Sequence, residues 1–134
     1  MALKNKKEVE ELADSLTLSA DAIHKQLMKD IKKGNVDQPQ AQLIFQDEVI
    51  LRQKANGLYI DAANCVIKNL SEPQAGLVGV IAAANEKLKK MKDVGQFINL
   101  VSDLLVLAAA AYAAKPGPLL TALEEVRKDL KVRG

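Results

Sequence analysis

The 134-residue chain has almost none of the residue types that build disulfide scaffolds, metal centres or aromatic cores. It contains one cysteine, one histidine, no tryptophan, two Phe and two Tyr. A lone cysteine, Cys65, cannot form an internal disulfide, and a structural or catalytic metal usually needs three or four protein ligands. We therefore expect no disulfide, no metal and no cofactor. With so few aromatic residues the core must be aliphatic and alanine-rich, which favours close-packed helices over strands.

The chain also lacks a strong charge of either sign. Nineteen basic and seventeen acidic residues leave a formal charge of +2, and the two signs are interspersed. Lysines form three short clusters that would not merge into one face of a helical bundle, so we expect no nucleic-acid partner. The clusters are Lys4, Lys6 and Lys7, then Lys29, Lys32 and Lys33, then Lys87, Lys89, Lys90 and Lys92.

No catalytic motif is present in the sequence. There is no HExxH, and the GLVG segment lacks the Lys-Ser/Thr that a phosphate-binding loop requires. His24 is interpreted as a surface or boundary residue, and Cys65 as a small buried apolar residue. Adjacent carboxylates such as those at positions 47 and 48 point in different directions on a helix, which is poor geometry for acid–base chemistry. We therefore expect a protein that is not an enzyme.

The N-terminal segment MALKNKKEVEE has no apolar core of a secretory signal. Together with the unpaired cysteine, this predicts a reducing, cytoplasmic setting. An effector that is exported without a signal would have the same features.

Hydrophobic periodicity predicts a single all-α domain over residues 1–134. Apolar residues recur at steps of three and four along five segments, and 49% of the chain is apolar. The predicted helices span about 5–33, 38–70, 72–92, 94–114 and 118–132. Ser19 and Asp21 could also start a helix, so a break in the first helix near Ser19 is an open alternative.

Three helix starts carry the same local signal. Asp37, Ser71 and Asp93 each lie three residues before a glutamine that can reach back, which is the pattern of a capping box. Pro39 and Pro73 fall in the first turn of two of these helices, where a missing N–H costs nothing.

Short connections between long helices predict an up-down antiparallel helical bundle of four main helices plus a short C-terminal helix. The first two helices would reach ~43 and ~50 Å, whereas the next two would reach only ~30 Å. The tips of the long pair would then expose apolar surface that needs a cover, so we expect a protein partner or a homo-oligomer. The candidate interaction surface lies on the stripes of the two long helices: Ile44, Leu51, Leu58, Leu16, Ile23 and Leu27.

The most apolar stretch, FINLVSDLLVLAAAAYAA at residues 97–114, supports a second hypothesis. It is near the minimum length of a transmembrane helix, and residues 73–114 could form an apolar hairpin that enters a bilayer conditionally. Asp103 near its centre opposes insertion by about 2.5 to 3.5 kcal/mol. A buried central helix of a soluble bundle is therefore the preferred interpretation. The candidate membrane residues of the alternative are Leu77, Ile81, Phe97, Leu104, Leu105 and Leu107.

Overall fold

A computed structural model describes residues 1–132, and residues 133 and 134 of the expected domain lie outside the described part. The described residues form α-helices with no strand, which confirms the all-α fold class. The helices are α1 (Lys6–Lys33), α2 (Gln38–Ile60), α3 (Gln74–Leu88), α4 (Val94–Tyr112) and α5 (Pro116–Lys131), with a 3₁₀ turn at Ala62–Cys65 after α2.

Side-chain contacts establish that α1 and α2 run antiparallel. Near one end, the Tyr59 hydroxyl donates a hydrogen bond to the Asp14 carboxylate. Towards the other end, His24 Nδ1 lies 3.0 Å from Glu48 Oε1. The residue numbers of α2 therefore fall as those of α1 rise, as expected for two long helices joined by a short loop.

The third helix runs parallel to the first. The Gln74 amide donates to the Glu8 carbonyl at the start of both helices, at 3.0 Å. The Gln26 amide donates to the Met91 carbonyl just beyond the end of α3, also at 3.0 Å. Successive helices α1, α2 and α3 thus alternate in direction.

The five helices surround one core in the order α1–α2–α4–α5–α3. α4 packs mainly on α2 and α5, and α3 packs on α1 and α5, while α3 and α4 share little contact although they are consecutive. α4 supplies much of the core, with Leu100, Leu104, Leu107, Ala108 and Ala111 fully buried. Among the described residues, α4 is also the one helix long and apolar enough to cross a membrane, with a mean hydropathy of 1.7; the core helix of a soluble protein passes the same test.

The second helix ends ten residues earlier than predicted. It stops at Ile60, and the chain then runs through the 3₁₀ turn into an extended segment. There the Ile67 N–H donates to the Leu3 carbonyl at 2.9 Å, and Leu3, Ile67 and Leu70 are buried. The apolar residues after Ile60 therefore serve a non-helical contact with the N-terminal segment, and the prediction of helix to residue 70 was wrong.

The three predicted capping boxes have different outcomes. Asp37 forms the complete box with Gln40, because each side chain bonds the other residue's backbone N–H. The Asp93 carboxylate caps α4 by accepting a hydrogen bond from the Gln96 backbone N–H at 3.0 Å. The Ser71 box is wrong: α3 begins at Gln74 without a side-chain cap, and the Gln74 side chain instead accepts from the Leu3 N–H.

The first helix is continuous through Ser19. The Ser19 side chain is fully buried, and its hydroxyl lies 3.1 Å from the Ser15 carbonyl and 2.5 Å from Asn85 Oδ1 on α3. A serine that satisfies its hydroxyl in this way has no need to start a new helix.

Candidate protein-interaction surface

The stripe predicted as an interaction surface is buried inside the chain. All six side chains are at most 1% exposed and belong to the hydrophobic core. They are Leu16, Ile23 and Leu27 of α1, and Ile44, Leu51 and Leu58 of α2. The location of the surface therefore has to be corrected: strongly amphipathic stripes are buried first, and a free surface must be sought elsewhere on these helices.

The opposite side of α2 remains exposed and combines large apolar side chains with glutamines. Phe45, Val49 and Ile50 keep between 37% and 50% of their surface accessible. They recur at helical spacing and alternate with exposed glutamines. We call this surface the α2 face; it consists of Gln42, Phe45, Gln46, Val49, Ile50 and Gln53.

The α2 face contains no charged residue. α2 has four charged side chains, and none of them is exposed: Glu48 is buried, and Asp47, Arg52 and Lys54 are half-buried at the edges of the face. The chain as a whole is 27% charged. An exposed helix surface that has large apolar side chains and no charge is unusual for a solvated helix and typical of the centre of a protein contact.

The apolar surface continues onto the tip of α1. With 28 residues α1 reaches about 42 Å, whereas the 15 residues of α3 reach only about 22 Å. Met28 and Ile31 lie near the uncovered end of α1 and are 43% and 46% exposed. Together with Phe45 they form a groove of about 270 Å³, the tip groove, lined by Leu27, Met28, Ile31, Gln38, Ala41, Gln42 and Phe45.

A polar network fixes the α1–α2 pair on the side of the α2 face that borders α1. The Glu48 carboxylate is 5% exposed and lies 3.0 Å from His24 Nδ1 and 3.0 Å from Arg52 Nε. Arg52 also bonds Asp21 of α1 at 2.9 Å. His24, expected at the surface or at a boundary, is half-buried here. These contacts between the two helices support the position of α2 against α1.

On the other edge, α2 is fixed to the end of α4. The Lys54 ammonium lies 5.2 Å from the centre of the Tyr112 ring, within cation–π range. The Tyr112 hydroxyl donates to Asp61 at 2.9 Å. The Cys65 thiol beneath is buried and 3.5 Å from the Tyr112 carbonyl, and burial raises the pKa of this thiol. Cys65 is thus the buried residue that the sequence predicted, with little thiolate at neutral pH.

The residues of the alternative membrane hairpin belong to the core. Five of the six are fully or almost fully buried, and Leu105 is half-buried. The five are Leu77, Ile81, Phe97, Leu104 and Leu107. Because α3 and α4 share little contact, they do not form a ready hairpin in this fold.

A second polar region lies where α4 meets α5. Asn99 donates to one oxygen of Asp129 at 2.9 Å, and Asp103 is a neighbour of the same carboxyl group. The other Asp129 oxygen is buried without a donor among residues 1–132. Burial, and then the neighbouring Asp103, raise the pKa of Asp129 to about 7, against a lowering contribution from Lys87. A proton on Asp129 would supply the donor that these two carboxyl groups lack.

No cluster of metal-ligating side chains occurs within residues 1–132. Comparison with protein families, with curated proteins and with solved structures gave no match.

The sequence contains an indication of the α2 face, but the more regular apolar stripe on the buried side of α2 is easier to recognise. Besides the buried stripe, apolar residues occur on the other sides of α2, at Leu43, Phe45, Val49 and Ile50. Apolar side chains on more than one side of a helix need cover on each of those sides. The fold covers only one side of α2, which leaves these residues exposed.

Proposed function

We propose that this protein is a non-enzymatic interaction module that binds protein through the α2 face and the adjoining tip groove. The observation that carries the proposal is the combination of high exposure and absence of charge along one side of α2. Large side chains such as Phe45 are costly to leave in water, since each buried apolar Å² is worth about 25 cal/mol. A protein contact would recover that free energy.

The hydrophobic character of the tip groove also supports protein contacts. Its walls are side chains of both long helices, held in place by the Glu48 network behind them. A groove between two fixed helices accepts an apolar side chain or a helix without reorganisation of the bundle. Membrane insertion would instead have to remove core residues such as Phe97 and Leu104 from their contacts, so protein binding is the proposal we favour.

Site-specific photo-crosslinking tests the proposal directly. A photoreactive amino acid at Val49, in the centre of the α2 face, is expected to crosslink to protein in cells that express the chain. The matched control carries the same group at Leu18, which is 59% exposed on α1 and lies by the α1–α3 groove. Equal crosslinking at both positions, or none at Val49, would contradict the proposal.

A further inference from the structure

We infer that the occupant of the α2 face is a second copy of this chain, docked with its α2 antiparallel to the first. The inference rests on the proposed function and names its partner. In a two-fold contact each residue meets the same surface of the other copy, so any exposed charge near the axis meets a like charge. The α2 face has none, and it can therefore contact itself without repulsion.

The charged residues at the edge of the α2 face determine the relative direction of the two α2 helices in the dimer. Asp47 and Lys54 are seven positions apart, so they lie on the same flank of α2, about 10 Å apart along the axis. When two helices pack antiparallel, this flank faces its own equivalent. With the two-fold axis beside Ile50, Asp47 of each copy comes opposite Lys54 of the other, which gives two complementary pairs.

The edge residues are available for this role. Among residues 1–132 no salt bridge involves Asp47 or Lys54, and the Lys54 ammonium lies over the Tyr112 ring. Burial raises the pKa of Asp47. A lysine from the second copy would favour the ionised carboxylate.

The size of the face predicts a weak dimer. The α2 face and the tip groove together comprise eleven residues per copy, fewer than the ~20–30 residues on each side of a standard interface. We therefore expect a concentration-dependent dimer with a dissociation constant on the order of micromolar.

Sedimentation equilibrium of the purified chain tests the assembly. We expect Val49→Glu to raise the dimer dissociation constant at least ~10-fold, because it places two carboxylates near the axis. Leu18→Glu is the matched control, as it adds the same charge at an exposed apolar position beside the α1–α3 groove, and it should leave the constant within about twofold. Both variants should keep the wild-type circular dichroism spectrum, which separates lost association from unfolding.

Exchanging the charges at positions 47 and 54 tests the antiparallel direction of the two α2 helices. Asp47→Lys and Lys54→Glu should each weaken the dimer ~3- to 10-fold, and the double variant should restore it, since both cross-pairs are then reversed. The two residues are too far apart in one chain for a direct contact, so the rescue has to act between copies. A double variant that is weaker than either single one would overturn the antiparallel arrangement.

Oxidative crosslinking gives an independent measurement. In a Cys65→Ala background, Ile50→Cys should form a symmetric disulfide, whereas Gln42→Cys should not, because the two Gln42 positions would be ~24 Å apart. Equally fast crosslinking at both positions would indicate a parallel pair and overturn the inference.

The two proposals fail differently. Suppose that the chain stays monomeric up to ~1 mM and that Val49 crosslinks to another protein in cells. That result would contradict the proposal that a second copy occupies the α2 face, but it would agree with the proposed role as an interaction module. A monomeric chain whose Val49 crosslinks to nothing would overturn both.

Discussion

Gly57 of α2 lies directly against the ring of Tyr112 at the end of α4. A Cβ atom at Gly57 would be 2.6 Å from Tyr112 Cε1, closer than carbon atoms approach without movement. The ring is held there by its hydroxyl bond to Asp61 and by the Lys54 ammonium. Gly57 weakens the interior of α2 by about 1 kcal/mol relative to alanine. Because it has no side chain, it also leaves room for the Tyr112 ring of α4 to pack against α2.

Gly57→Ala should therefore destabilise the fold, although alanine is the better helix former. We expect a net loss of about 1 kcal/mol, because displacement of the Tyr112 ring outweighs the gain in helix propensity. Gly79→Ala in α3 is the matched control, since nothing lies within 4 Å of its new Cβ, and it should stabilise by about 0.5–1 kcal/mol. Urea denaturation measures both; a more stable Gly57→Ala would show that the ring moves aside freely.

The Glu48 carboxylate is expected to be important for the α1–α2 contact. Glu48→Ala removes the buried acceptor that His24 and Arg52 share, while those two side chains stay 45% and 38% exposed to water, and we expect a loss of about 1–2 kcal/mol in the free energy of unfolding. Glu124→Ala, which breaks an exposed pair with Arg127, should change it by less than about 0.5 kcal/mol. Chemical denaturation, with equal m-values for the variants, measures both free energies of unfolding. Similar losses for Glu48→Ala and Glu124→Ala would contradict the greater importance of the buried carboxylate.

The carboxyl group of Asp129 should make stability fall as pH rises. Its pKa is about 7 in the folded chain and about 4 when unfolded. Between these values the folded state holds a proton that the unfolded state has lost, so this contribution is complete below about pH 4 and is lost as pH rises through about 7. Asp129→Asn should remove this pH-dependent contribution. The stability of the variant relative to the wild type should therefore increase between pH 5 and pH 8.

Thermal unfolding at both pH values, compared between the two proteins, measures this difference. Asp103→Asn is the second variant, because removing the neighbouring charge should lower the pKa of Asp129 and reduce the same pH dependence. A wild type and an Asp129→Asn variant with parallel pH profiles would contradict the assignment.

The Ser19–Asn85 hydrogen bond should contribute to the packing of α1 on α3. Ser19→Ala removes a buried hydroxyl that lies 2.5 Å from Asn85 Oδ1, and we expect a loss of about 1–3 kcal/mol from the unpaired amide oxygen. Ser102→Ala, at an exposed position of α4, is the control and should be nearly neutral. Equal effects of the two substitutions in denaturant melts would show that water replaces the lost hydroxyl.

Much of the fold was predictable from local patterns. The stripe of α1, including Leu16 and Ile23, is buried as its spacing indicated, and α1 ends at Gly34 in the left-handed conformation. The complete cap at Asp37 followed from a motif four residues long. These features depend on residues within one or two turns of each other, so the sequence contains all the information they need.

The errors occurred where distant residues compete with local signals. Gln74 was predicted to cap its own helix, but its side chain bonds Leu3 and Glu8, more than sixty positions away. Ile67 continued a helical pattern, yet its N–H pairs with the Leu3 carbonyl. In both cases a tertiary hydrogen bond satisfied the group that the local motif would have used.

An all-α bundle with buried aliphatic stripes could be predicted from the amino-acid order alone, because hydrophobic periodicity and helix caps act over a few residues. Which apolar side chains stay in water depends on how the helices pack. Leu51 and Ile50 are adjacent in the chain and similar in composition, but the first is buried against its neighbours and the second lies on the α2 face. That distinction depends on which sides of α2 the other helices cover, and coverage is a property of the packed bundle.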